Sequence, residues 1–260
     1  MAKSQPLLSG ASLVVTRAPG TSASLARGIR AAGGRVVLLP GLALRASADH
    51  ATMRAAIREV PRFDAWIFTS PAAVRFGLPL VGALKKRARA RVFAIGEGTA
   101  RALARHAIVA TIPPDRADSE GLLALPELKA VRGQRIALVG APGGRDLIAP
   151  TLRRRGARID AVHVYRREPS RLNARHFDAL DAAPDPLITL LSSGEALSNL
   201  VAAVPARLLT RLRAQALVVS SARLVALARE HAFAQIVAAR SAIPRDLLAA
   251  ASSALSRHRL

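Results

Sequence analysis

Hydroxyl-bearing residues and glycines cluster where short apolar runs end and helix-like segments begin. Such junctions leave the first N–H groups of the helix without an internal partner, and small or hydroxyl side chains let an anion approach them. A helix cap explains each serine or threonine equally well when it is taken singly. There are six such junctions, three in each half of the chain. Taken together, they are explained as well by a ligand-binding cleft between the halves as by capping. They are Thr16-Arg17, Thr69-Ser70, Gly96 with Thr99, Gly140 with Gly143-Gly144, Ser192-Ser193 and Ser220-Ser221.

The residues for most other catalytic chemistries are missing or badly spaced. The sequence has no cysteine, so disulfides, iron–sulfur clusters and cysteine nucleophiles are excluded. The turn Gly140-Ala-Pro-Gly-Gly144 matches neither a Walker loop nor a dinucleotide fingerprint. The six histidines lack metal-ligand spacing, and Ser193 lacks the context of a nucleophile elbow. We therefore predict a site with no metal and no cofactor, in which the protein shapes a reactive substrate and holds its charges.

Tyr165 is the one tyrosine of the sequence, at the end of a predicted strand that enters a connector. Two interpretations stay open. The ring either covers the connector as a rim aromatic, or presents its phenol to the cleft as a hydrogen-bond donor. Trp66 and Phe68, by contrast, alternate along an apolar run, and we predict that both are core residues.

The chain is strongly basic, and three interpretations of this charge stay open. Its 39 Lys and Arg residues against 17 Asp and Glu residues give a formal net charge of +22. A positive field would attract an anionic small molecule to a cleft. Nucleic acid binding calls for basic residues on one face, with aromatics for stacking, whereas aromatics make up 3% of the sequence and arginines are scattered. The third interpretation is compositional: arginine is used wherever a solvated residue suffices.

An internal repeat organises the elements that must position these residues. The stretch 136–145 repeats features of the stretch 13–20, and Pro142 follows Pro19 by 123 residues. Further pairs keep the same order with offsets of 123 to 125 residues, so we infer two copies of one α/β domain. The pairs are 33–36 with 156–159, 68–70 with 191–193, 102–105 with 226–229, and 121–123 with 246–248.

Strand-like runs alternate with helix-like segments through both copies. This alternation predicts an α/β fold of two similar parallel-sheet domains of flavodoxin or Rossmann type, with ligands at the carboxyl ends of the strands. Among the segments we predict a strand at 108–112, a helix at 146–155, a strand at 158–165 and a connector at 166–170.

Length and hydropathy fit two compact domains in one chain. The 260 residues are 51% hydrophobic, with a mean hydropathy of +0.24, enough apolar surface for two cores. No stretch approaches the roughly 20 uninterrupted apolar residues of a membrane span, and the N-terminus has no apolar signal core. We predict a cytoplasmic monomer without membrane contact.

Six stretches, taken in order, resemble the uroporphyrinogen-III synthase family. The resemblance runs from about residue 12 to 254. The more telling stretches are the second and the fifth. The six are Val15-Thr-Arg17, Ile67-Phe-Thr-Ser-Pro-Ala-Ala-Val74, Ala94-Ile-Gly-Glu-Gly-Thr-Ala100, Leu138-Val-Gly140 before a Gly-Arg turn, Val162-His-Val-Tyr-Arg166 and Leu190-Leu-Ser-Ser-Gly194.

The resemblance implies two α/β domains joined by a two-stranded linker, with the first βα unit packed onto the C-terminal domain. On this chain the discontinuous domain would comprise 1–38 plus 171–260, and the other domain 48–160. The linkers would be 39–47 and 161–170.

The resemblance also implies a reaction: closure of the linear tetrapyrrole hydroxymethylbilane to uroporphyrinogen III with inversion of ring D, without a cofactor. Tyr165 matches the family tyrosine thought to assist departure of the hydroxyl. We interpret the junction residues and the two turn arginines as substrate-binding, for a substrate with many carboxylates. They are Arg17, Thr69, Ser70, Gly96, Thr99, Gly140, Arg145, Ser192, Ser193 and Ser220.

One junction departs from the family pattern. Where the family has Gly-x-Thr-Thr in the second copy, this chain has Ser220-Ser-Ala-Arg223, which puts the hydroxyl contribution of that loop in doubt. Two alternatives to the enzyme remain: a two-lobed protein that binds an anionic metabolite without turnover, and a nucleic-acid-binding protein.

Overall fold

The computed structural model describes residues 7–86, 90–143 and 147–258. Its strands are β1 (Ser12–Val15), β2 (Arg35–Leu38), β3 (Leu42–Ala46), β4 (Ala65–Phe68), β5 (Arg91–Ala94), β6 (Arg135–Gly140), β7 (Arg158–His163), β8 (Tyr165–Pro169), β9 (Leu187–Leu191), β10 (Ala216–Val219) and β11 (Gln235–Ala238). Its helices are α1 (Ala23–Ala31), α2 (His50–Arg58), α3 (Pro71–Phe76), α4 (Leu78–Lys86), α5 (Glu97–Ala104), α6 (Ser119–Ala124), α7 (Pro126–Lys129), α8 (Ile148–Arg154), α9 (Ala174–Asp181), α10 (Gly194–Ala203), α11 (Ala206–Ala214), α12 (Ala222–Glu230) and α13 (Pro244–His258).

The chain divides into two compact units. The first unit combines the chain up to Ala43 with the chain from Glu168 onward, and the second runs from Leu44 to Arg167. Each unit contains its own sheet, so the fold is mixed α/β with two separate parallel sheets, as the alternation of elements predicts.

The first unit contains a five-stranded sheet in the order β11-β10-β9-β1-β2, with every pairing parallel. Its central strands β1 and β9 are buried along their whole length. Strands covered by helices on both faces read as continuous apolar runs, which explains Leu-Val-Val at 13–15 and Leu-Ile-Thr-Leu-Leu at 187–191.

The second unit contains a four-stranded parallel sheet in the order β5-β4-β6-β7. Trp66 and Phe68 are fully buried on β4, which confirms them as core residues. The strand predicted at 108–112 is wrong: the structure has only an isolated bridge between Thr111 and Phe93. Two prolines follow at 113 and 114, and proline has no N–H to continue a ladder.

The repeat in the sequence maps onto equivalent places in the two sheets. Strands β6 and β7 take the positions that β1 and β2 hold in the other sheet, and β4 and β5 take those of β9 and β10. The early strand β1 therefore pairs with β9 of the second copy, and β6 pairs with β4 of the first. Each sheet is built from both copies.

The strand predicted at 158–165 is interrupted. It ends as β7 at His163, and a second strand, β8, begins at Tyr165 after Val164, whose N–H donates to the Gly140 carbonyl. The segment 166–170, expected to be a connector, lies largely in β8, which pairs with β3 in a separate two-stranded sheet. The division between the two units falls inside both of these strands. The helix predicted from 146 begins at Ile148, and Asp146 lies outside the described residues.

Several arginines bind backbone carbonyls. Arg155 donates from Nη1 to the carbonyls of Leu123 and Leu128, at 2.8 Å each. Arg211 donates to the Leu180 carbonyl at 2.8 Å and to further groups of the same turn. Part of the net charge therefore satisfies carbonyls at helix ends that have no partner within their helix.

Arg135 joins three side chains at the start of β6. Its guanidinium donates to Asp160 Oδ2 at 2.6 and 2.9 Å and to Glu59 Oε2 at 2.8 Å, and its carbon Cζ lies 4.5 Å from the centre of the Phe63 ring. The hydrogen bond from Arg135 holds the pKa of Glu59 below its ordinary value.

We predict that E59Q loses stability at neutral pH and that the loss shrinks in acid. A carboxyl whose pKa is lowered on folding stabilises the fold above its unfolded pKa of about 4.3, and this contribution disappears as pH falls through the folded pKa. Urea unfolding from pH 7 to pH 3 measures the difference. E127Q is the control, because Glu127 has no ion pair within the described ranges, and it should show a smaller pH dependence. Parallel curves for E59Q and wild type would contradict the account.

Two alanines adopt left-handed backbone conformations at matching places of the repeat. Ala107 has φ 59° and Ala232 has φ 61°, just after α5 and α12. A Cβ in this conformation costs about 1–2 kcal/mol, which glycine avoids.

We predict that A232G raises the free energy of unfolding by about 1 kcal/mol, because relief of strain outweighs the added freedom of the unfolded chain. Denaturant unfolding measures it. The matched control is A226G, at an exposed position inside α12, which should lose about 1 kcal/mol. Equal losses in both variants would refute the prediction.

Candidate active site

The carboxyl edge of the four-stranded sheet brings together residues from several strands. Thr69 and Ser70 follow β4, and Gly140 ends β6. Gly96 lies two residues after the end of β5, and Tyr165 two residues after the end of β7. Because all four strands are parallel, their carboxyl ends meet at one edge, where such sheets bind ligands.

Ser70 and Tyr165 form a pair of hydroxyls. Ser70 Oγ lies 3.1 Å from the Tyr165 hydroxyl oxygen, and either group can donate. Ser70 also caps α3, since the Ala73 N–H donates to its Oγ at 3.0 Å. Tyr165 is 6% exposed, and its phenol is thus shielded from bulk water. Such a pair can hold a phenol in place and donate a hydrogen bond or a proton to a neighbouring group.

Phe76 fixes the ring plane of Tyr165. The two ring centroids are 5.6 Å apart and the planes differ by 21°, a stacked arrangement. Arg75, the residue before it, places its guanidinium carbon 4.6 Å from the centre of the Phe76 ring. Sequence reasoning missed both residues. Aromatic residues are scarce in this sequence, so a Phe six positions after Ser70 was a signal that could have identified Phe76 and the Arg75 before it.

Thr69 and Gly140 approach each other closely. Thr69 Oγ1 donates to the Val139 carbonyl at 3.1 Å. A Cβ added to Gly140 would lie 2.4 Å from Thr69 Oγ1. An alanine at position 140 would therefore have to displace the Thr69 hydroxyl.

Gly96 and Thr99 belong to the start of α5. Thr99 is 2% exposed, and its N–H donates to the Gly96 carbonyl at 3.0 Å. A Cβ on Gly96 would meet Cβ of Ala117 at 2.6 Å, so this residue too is held to glycine by packing. A Cβ on Gly98 would be 3.6 Å from Pro71, which places the starts of α3 and α5 side by side.

Arg17, Ser192, Ser193 and Ser220 lie in the other unit, at the carboxyl edge of the five-stranded sheet. Ser193 caps α10, accepting the Ala196 N–H at 3.3 Å. Ser192 and Ser220 directly follow β9 and β10. Arg145 lies outside the described residues.

Arg17 is a half-buried cation. Burial lowers the pKa of its guanidinium below the ordinary value, and Nη2 donates to the Ala242 carbonyl. Within the described part of the chain no carboxylate lies at ion-pair distance from it. The adjacent Thr16 turns inward, because its Oγ1 donates to the Leu190 carbonyl at 2.8 Å. A desolvated cation without a carboxylate favours binding of an anion.

No helix among the described residues is long and apolar enough to cross a membrane.

Comparisons with known proteins point to one family. The family model for uroporphyrinogen-III synthase HemD matches residues 23–249. Uroporphyrinogen-III synthase of Salmonella typhimurium is 38% identical over 170 residues, which cover 62% of this chain and 66% of that protein. The protein of the same name from Synechococcus elongatus is 31% identical over 195 residues, covering 73% of each chain.

Solved structures are similar in fold. Uroporphyrinogen-III synthetase from Helicobacter pylori matches with a TM-score of 0.62 and 14% identity, over 93% of this chain and 98% of that one. A mutant uroporphyrinogen III synthase from Thermus thermophilus matches with a TM-score of 0.57 and 18% identity, over 95% and 100%. Identities this low establish the fold alone. The matched segments span less than two thirds of the length of two relatives. They cover 66% of the Salmonella protein and 65% of the uroporphyrinogen-III synthase of Escherichia coli.

We predict that G140A destabilises the second unit by about 1–3 kcal/mol, because its Cβ must displace the Thr69 hydroxyl. Removing that hydroxyl makes room, so the cost of G140A should fall by about 1 kcal/mol in a T69A background. Denaturant unfolding of the four proteins measures this.

The matched control is G82A on α4, where an added Cβ has no atom within 4 Å. It should stabilise the helix by about 1 kcal/mol. An equal cost of G140A with and without the Thr69 hydroxyl would remove that contact as the cause.

Proposed function

Because the chain belongs to the uroporphyrinogen-III synthase family, we propose that it closes hydroxymethylbilane to uroporphyrinogen III, a step of tetrapyrrole and heme biosynthesis. The observation that supports a catalytic role for particular residues is the 3.1 Å contact between the hydroxyls of Tyr165 and Ser70. It lies at the sheet edge where ligands of parallel α/β folds bind.

The reaction needs a departing hydroxyl and an inverted ring. When a proton reaches the hydroxymethyl oxygen, the C–O bond breaks and water leaves, while the lone pair of the pyrrole nitrogen moves into the ring and leaves an azafulvenium-type electrophile. The substituted carbon of ring D attacks to give a spiro intermediate, which fragments and recloses with ring D inverted and loses a proton. Substrate and product differ by one water. Since the electrophile also closes unaided to the uninverted isomer, the task of the protein is largely conformational.

In this proposal Tyr165 assists departure of the hydroxyl. Ser70 Oγ already accepts the Ala73 N–H, and its own proton can donate to the phenol oxygen. The phenol O–H is then left to donate to the substrate hydroxyl. Burial of the phenol strengthens that hydrogen bond, because bulk water is kept away.

The remaining edge residues would bind the carboxylates and backbone of the substrate. Arg17 is the strongest candidate for binding a carboxylate, because it is a desolvated cation with no carboxylate partner in the described ranges. The others contribute hydroxyls or close backbone approach: Thr69, Ser70, Gly96, Thr99, Gly140, Arg145, Ser192, Ser193 and Ser220. Ser220 and Ser221 would supply the hydroxyls that the family draws from threonines.

We further propose two similar domains, at 1–38 plus 171–260 and at 48–160, with 39–47 and 161–170 as linkers. The division of the chain near Ala43 and Arg167 and the pairing of β3 with β8 support this organisation. The enzyme would act as a cytoplasmic monomer without a cofactor.

Incubation with hydroxymethylbilane and separation of the product isomers tests the function. The proposal predicts uroporphyrinogen III, formed faster than spontaneous closure. Isomer I alone at the spontaneous rate would refute it, and saturable binding without turnover would instead indicate a binding protein.

We predict that Y165F lowers kcat by at least about tenfold, because the general acid is lost. The ring keeps its stack on Phe76, so the fold should lose only about 1 kcal/mol for the missing hydrogen bond to Ser70. Steady-state kinetics and urea unfolding of the same preparation separate the two effects. An unchanged kcat would remove Tyr165 from the mechanism.

A further inference from the structure

Arg75 is an exposed cation that contacts Phe76, the aromatic residue stacked on the proposed general acid. Its guanidinium carbon lies 4.6 Å from the centre of the Phe76 ring, and Phe76 stacks on Tyr165. A cation–π contact of this kind favours one orientation of a long side chain. The cation thus has a defined place against Phe76, whose ring also stacks on Tyr165.

No carboxylate among the described residues forms an ion pair with Arg75. This sets it apart from Arg62, Arg116 and Arg207, each of which pairs with a carboxylate. Its donors remain available, and a planar guanidinium matches the two oxygens of a carboxylate.

We propose that Arg75 binds one carboxylate of the substrate and that Phe76 positions both Arg75 and Tyr165. This rests on the proposed function, which supplies a substrate with many carboxylates. Phe76 contacts the cation and the phenol at once, so a carboxylate on Arg75 fixes where the rest of the substrate lies relative to the Tyr165 hydroxyl. Arg75 acts in binding, and Phe76 is a positioning residue.

Kinetics with hydroxymethylbilane test the binding role. R75Q should raise KM about fivefold, the size expected for a charge-assisted contact at an exposed site, and should lower kcat less than it raises KM. R75K keeps the charge without the planar group and should recover part of the loss.

The matched control is R54Q. Arg54 is an exposed arginine on α2 of the same unit, so its loss changes the net charge equally. KM for R54Q should stay near the wild-type value. An equal KM for R75Q and R54Q would overturn the proposal, because the effect would then be one of overall charge.

F76L tests the positioning role. It should lower kcat, because Tyr165 loses its stack, and R75Q should raise KM less in the F76L background than in wild type. A merely structural Phe76 would leave the effect of R75Q unchanged, and that outcome would overturn its positioning role.

Fluorescence titration with uroporphyrin III, the oxidised form of the proposed product, separates this proposal from the proposed function. R75Q should weaken binding about fivefold relative to R54Q. If wild type makes only isomer I but shows this difference, the function fails and the carboxylate site stands. If wild type makes isomer III but the two variants bind equally, the function stands and the Arg75 site fails.

Discussion

Parallel pairing of the strands is the constraint on which the rest of the structure depends. A parallel strand can be followed by another only through a crossover, so each strand-to-helix turn of a sheet lies at the same edge. This brings Ser70 to Tyr165 and Thr69 to Gly140, although the members of each pair are far apart in sequence. The same rule places Arg17 and Ser193 at the carboxyl edge of the five-stranded sheet.

The large positive charge has more than one physical role. Arg135, Arg155 and Arg211 are tied to carboxylates and carbonyls, where they satisfy groups that folding removes from water. Arg17 and Arg75 have no carboxylate partner within the described ranges, and anion binding is the role proposed for them. Arg135, Arg155 and Arg211 support the compositional interpretation of the charge, and the roles proposed for Arg17 and Arg75 require an anionic ligand. These interpretations apply to different residues.

The sequence predicted the elements better than their contacts. Apolar runs and the ordered repeat identify the parallel strands, because side-chain pattern determines which segments can be buried. The break at Val164 and the single bridge at Thr111 were missed, since both depend on backbone pairing with distant strands. The predicted junction hydroxyls do follow the carboxyl ends of strands, and their role in binding stays a prediction. The stacking of Phe76 on Tyr165 could not be inferred, because it depends on how α3 packs.

Amide hydrogen exchange of the whole chain, with and without saturating uroporphyrin III, tests most directly whether the carboxyl edges of both sheets bind the ligand. The account predicts slower exchange at the strand-to-helix junctions 16–21, 69–76, 95–99, 192–196 and 220–224. Turns at the opposite edges, such as 32–35 and 155–158, should exchange as in the free protein. Protection confined to those opposite turns, or no protection at saturation, would contradict it.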